Sequence, residues 1–122
     1  MAKLVILVLD NLDKLEDVLY AWRLAGCSGV TILESSGAAR LLAQVGARDD
    51  IPMFPGLRTL LARQEVHHRT LFTVIGDEID LEDFFDATEK AVGPFEESHT
   101  GIIFALPVLS ARGLVKHHHS LR

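Results

Sequence analysis

Five of the six histidines stand in two clusters, His67-His68 and His117-His118-His119. Imidazole binds zinc, copper and nickel, so these are the residues that could hold a metal. Their spacing is weak support for one. Neighbours on a strand point to opposite faces, and a run of three past the last element has no fixed geometry. No metal site is assigned, and His67, His68, His117, His118 and His119 stand only as weak candidates. A second source of chemistry is charge. Between Gly37 and Arg69 lie Arg40, Arg48, Arg58, Arg63 and Arg69, against the acids Asp49, Asp50 and Glu65. The whole chain carries 12 Lys and Arg against 17 Asp and Glu, so the remainder is markedly acidic. A locally basic stretch on an acidic body suits an anionic ligand or an acidic partner.

Nucleophilic catalysis has little behind it. Glu97, Ser98, His99 and Thr100 are adjacent, whereas catalytic partners converge in space from separate parts of a chain. The pairs Asp49-Asp50, Glu82-Asp83 and Glu96-Glu97 read as solvated charges. There is no phosphate-binding P-loop, no Cys-x-x-Cys and no nucleophile elbow. No catalytic residue is assigned, and the expectation is that the protein is not an enzyme.

The elements that must position these groups fit one domain of 122 residues. With 48% hydrophobic residues and a mean hydropathy of +0.23, the chain is apolar for its size. An oligomer interface is the plainest place for that excess. A net charge of −5 argues against wholesale nucleic-acid binding. The single Cys27 excludes an internal disulfide and suits a buried thiol in a reducing cytoplasm. No apolar run approaches the roughly 20 residues of a membrane span, so no membrane insertion is expected. The apolar opening reads as a core strand, because Asp10 and Asp13 follow it without a small-residue cleavage site.

Leu4 to Leu9 is a strand-length apolar run. Asn11 or Asp13 can cap the next helix, and Asp13 with Glu16 has capping-box spacing. Leu12, Leu15, Val18, Leu19 and Trp22 form its apolar stripe, and Gly26 ends it. Val30 to Glu34 is the second strand and Thr70 to Ile75 the third. Asp80 caps a second helix with the stripe Leu81, Phe84, Phe85, Thr88 and Val92, closed by Gly93-Pro94. Ile102 to Leu106 is the fourth strand. This order predicts an α+β fold, a ferredoxin-like βαββαβ sandwich. A long, partly helical insert over 37–68 separates strands 2 and 3, with short helices expected at 40–45 and 57–65, and a tail runs over 109–122. Strands 1 and 4 are apolar on both faces, although a two-layer domain covers only one. The second face is expected to be covered by other subunits. The alternative is a monomer that covers it with its own insert.

Three sets of residues resemble the PII family of trimeric signalling proteins. Lys14-Leu15-Glu16-Asp17-Val18 is similar to the family's Lys-Leu-Asp-Asp-Val. Gly29, Thr31, Glu34, Gly37 and Arg40 fall where the family reads Gly-x-Thr-x-x-Glu-x-x-Gly-x-x-Arg. Gly101, Ile103, Phe104, Pro107 and Val108 match its Gly-x-Ile-Phe-x-x-Pro-Val. The resemblance spans roughly residues 3–36 and 69–109. It implies a homotrimer that holds a ligand in the clefts between subunits and signals to a protein partner through the insert. Family members hold adenine nucleotides there, with phosphates on a glycine-rich loop, a lysine and a pair of arginines. Here that loop carries Glu96 and Glu97, which repel polyphosphate, Ile102 stands at the lysine's position, and only Arg112 follows the last strand. The only tyrosine, Tyr20, lies on the first helix, which excludes the modified insert tyrosine of many relatives.

The resemblance leaves the ligand open, as an adenine nucleotide or another small anion. It implies a ligand site of Gly37 and Arg40 at the loop base, Ser98, His99, Thr100 and Gly101 before the last strand, and Arg112 beyond it. Arg58 would close from the insert. Two other functions fit the same fold: a divalent-metal-binding trimer of the CutA type using the histidines, and a ligand-free trimeric adaptor.

Overall fold

The computed structural model describes residues 1–37, 66–97 and 100–114. The chain runs β1 (Lys3–Leu9), a 3₁₀ turn (Leu12–Lys14), α1 (Leu15–Leu24), β2 (Thr31–Gly37), β3 (Val66–Ile75), α2 (Leu81–Val92) and β4 (Gly101–Pro107). Among the described residues the strands form one antiparallel sheet in the order β2-β3-β1-β4, with two helices packed on one face. This is the expected α+β, ferredoxin-like arrangement.

Strand alternation divides the side chains of the sheet. Val5, Leu7 and Leu9 from β1 and Leu71 and Ile75 from β3 are buried against Val18 and Trp22 of α1 and Phe84 and Val92 of α2. Both expected helical stripes therefore point inward, except that Leu12 stays exposed. The Trp22 and Phe84 rings lie 5.0 Å apart at 44°. Cys27 is the expected buried thiol, 3.0 Å from Thr73 Oγ1, and Thr73 in turn donates to the Gly29 carbonyl at 2.6 Å. That chain of contacts ties the α1–β2 connection to β3.

The helix ends follow local chemistry. Of the two expected cap residues Asn11 caps the first turn: its side chain accepts from the Asp13 N–H at 3.1 Å, and α1 itself begins without a side-chain cap. Gly26, at φ +103, closes α1 with two reversed bonds, Gly26 N–H to Arg23 O and Cys27 N–H to Trp22 O. Asp80 caps α2 by accepting from Asp83 N–H at 3.0 Å, and Gly93 ends it.

Strand bounds differ at the insert. β3 begins at Val66, four residues before the expected Thr70, and β2 runs on to Gly37. His67 and His68 therefore belong to the sheet and not to the insert. They pair in register with Ser36 and Ser35. The short helices expected at 40–45 and 57–65 lie outside the described residues. No helix among the described residues is long and apolar enough to cross a membrane.

Candidate functional site

Among the described residues no helix lies on the second face of the sheet. Register places Leu4, Ile6 and Val8 of β1 beside Phe72 and Val74 of β3 and beside Ile102, Phe104 and Leu106 of β4. The three β4 side chains are exposed. Both faces of strands 1 and 4 are thus apolar, as the sequence suggests, and the uncovered one is a continuous patch.

Antiparallel pairing brings the ends of four strands together. Glu34 of β2 pairs with Arg69 of β3, Arg69 with Leu9 of β1, and Leu9 with Gly101 of β4. At this end Arg69 forms an ion pair with Glu34 at 3.3 Å. Ser35 Oγ lies 2.5 Å from His68 Nδ1 and 2.8 Å from Thr70 Oγ1, so one hydroxyl bridges an imidazole and a second hydroxyl across two strands. A serine beside a histidine is the start of a nucleophile–base pair, but what is described here is a polar link between edge strand β2 and its neighbour β3, with Thr70 as its second partner. Sequence reading missed it because only register sets Ser35 against His68.

Gly101 opens β4 at φ +126, and a Cβ there would stand 2.1 Å from the Val8 carbonyl oxygen. Its glycine is a steric requirement for β4 to approach β1, whatever else it does. Thr100 beside it is buried. Glu96 and Glu97 are exposed on the approach to β4.

The expected ligand residues are only partly gathered. Gly37 and Gly101 lie towards one end of the sheet but sit on its opposite edges, β2 and β4, three strand spacings or about 14 Å apart across the sheet, with Gly37 a further three residues along the strands. Among the described residues, β3 and β1 stand between them. β4 carries the backbone to the other end of the sheet before the exposed Arg112. Arg40, Arg58, Ser98, His99 and the run His117 to His119 lie outside the described residues, as does the side chain of His67. Among the described residues no group of three potential metal ligands is gathered.

On the opposite side of the domain, α1 and α2 leave a groove of about 790 Å³ between them, lined by residues from Lys14 to Ala25 and from Glu78 to Ala91. Sequence stripes did not reveal it, because a groove depends on how two helices sit side by side.

No family model matches the chain, and no curated protein sequence matches it. Among solved structures it is similar to Arabidopsis thaliana PII bound to citrate, with a TM-score of 0.60 and 17% identity. The likeness covers 88% of this chain and 77% of that one. At this identity the likeness is one of fold, and it agrees with the PII-like arrangement of strands and helices expected from the residue patterns.

Proposed function

We propose that this chain is a PII-like sensor of a small anionic metabolite. Three copies close over the apolar sheet face into a cytoplasmic homotrimer, and the ligand sits in the cleft between subunits. The observation that carries the reading is that face, uncovered among the described residues, on a PII-like fold, with a largely apolar strip from β1, β3 and β4. Exposing so much apolar surface is costly in water, and a closed assembly removes the cost. The separation of Gly37 and Gly101 on opposite sheet edges supports an intersubunit site, since a neighbouring chain can bring one beside the other. Such a site combines Gly37, Arg40 and Arg58 from the insert side of one subunit with Ser98, His99, Thr100 and Gly101 of the next. The citrate held by the similar plant PII favours a small carboxylate anion. Glu96 and Glu97 disfavour a polyphosphate. Ligand binding shifts the insert between two arrangements, and the insert passes the signal to a protein partner. The proposal includes no catalytic step.

Native mass spectrometry of the purified chain, followed by melting curves with citrate and with ATP, tests this. A trimer whose melting temperature rises saturably with citrate, in wild type but not in Arg40→Ala, is expected. A monomer, or an Arg40→Ala variant with every ligand and partner affinity unchanged, overturns it.

A further inference from the structure

The groove between α1 and α2 lies on the face away from the open side of the sheet, so it stays accessible whether or not the sheet is covered. Its lining recurs every three or four residues: 14, 17, 21 and 24 on α1, and 80, 83, 87 and 91 on α2. The groove therefore runs the length of both helices, 10 and 12 residues long, or about 15 Å. Ala21, Ala25, Ala87 and Ala91 keep its floor low. Tyr20 and Leu24, each 63% exposed, stand in its wall, although each is large and apolar enough to be buried elsewhere.

The charges are not evenly spread. A Cβ on Gly26 would lie 3.4 Å from Ile79 Cδ1, so the end of α1 meets the start of α2 and the helices run antiparallel. This places Glu78, Asp80 and Asp83 beside Leu24 at one end. Lys14 and Lys90 lie at the other, with Asp17 between.

We propose that this groove docks a short amphipathic helix of a partner protein, its apolar stripe against Tyr20 and Leu24 and its cations grouped at the Glu78–Asp80–Asp83 end. Helix-in-groove docking needs an apolar trough several turns long with charges that set direction, and both are present. The carboxylates at the Glu78 end disfavour a nucleic acid and an anionic membrane. The inference is independent of the ligand-sensing reading.

The test is fluorescence anisotropy with a labelled leucine–alanine peptide of about 16 residues, long enough to form a helix, with Glu in its first turn and Lys in its last. Saturable binding is expected. Leu24→Ala combined with Tyr20→Ala should weaken it at least about ten-fold. Glu78→Lys should weaken it several-fold, and a scrambled peptide of the same composition should not bind. All three positions lie outside the core, so the variants keep the wild-type circular dichroism. Absence of saturable binding, equal binding by the variants, or equal binding of the scrambled peptide overturns the proposal. A change of oligomeric mass in the Leu24→Ala variant also overturns it, by assigning the groove to a second copy.

Discussion

The indole nitrogen of Trp22 donates to the hydroxyl of Thr88 at 2.8 Å, with both side chains fully buried between α1 and α2. The Thr88 hydroxyl in turn donates a hydrogen bond to the Phe84 carbonyl, also at 2.8 Å. A bulky aromatic can thus fill the core without stranding its one polar atom, and the hydroxyl that satisfies it is tied to its own helix.

Thr88→Val keeps the shape and removes the acceptor. The buried indole N–H is then left unsatisfied, which costs about 1–3 kcal/mol of stability. Urea unfolding at fixed protein concentration measures it. Thr88→Ser should retain most of the stability, and equal losses in the two variants would assign the effect to packing.

Gly101→Ala should lose about 2–3 kcal/mol, because its φ of +126 disfavours any side chain and the new methyl meets the Val8 carbonyl oxygen. Gly29→Ala is the matched control, since a Cβ there meets nothing within 4 Å. Thermal melts of the two variants side by side decide the point.

Phe104→Lys puts a charge in the middle of the uncovered sheet face without touching the helix-side core. The expected result is a lower oligomeric mass by light scattering with unchanged helical content. A wild-type mass in that variant would mean the face is not where subunits meet.

Glu34→Gln should change stability by less than about 1 kcal/mol even though it breaks the ion pair with Arg69, because the Glu34 side chain is 84% exposed. Whatever that pair contributes should fade between low and high salt in the wild type and stay constant in the variant.

Apolar runs and caps were the most readable parts of this chain. Leu4 to Leu9 declares a strand, and both helical stripes point where their spacing says. The Asp80 cap and the Gly26 stop follow from rules local to a few residues. Strand ends at the insert were less readable: His67, His68 and Arg69 lack an apolar alternation, and what continues β3 through them is its ladder with Ser36, Ser35 and Glu34. Between the two cap candidates the 3₁₀ turn decides for Asn11, because it moves the first free N–H groups two residues earlier. The candidate site was legible only as residue types. Which edge of the sheet each residue occupies is a matter of strand order, and no local pattern encodes that.

Strand order also bears on how the chain acquires its structure during synthesis. β1 lies between β3 and β4, so Lys3 pairs with Ile75 on one side and with Pro107 on the other. Of the four strands β1 is made first and is the most apolar, and one of its hydrogen-bonding edges waits until β4 (Gly101–Pro107) is made. At about 5–20 residues per second that interval lasts several seconds or longer, with long loops to close at its end. A nascent chain of this design needs its opening strand shielded until β4 emerges, and its yield in cells should depend on holding chaperones more than its small size suggests.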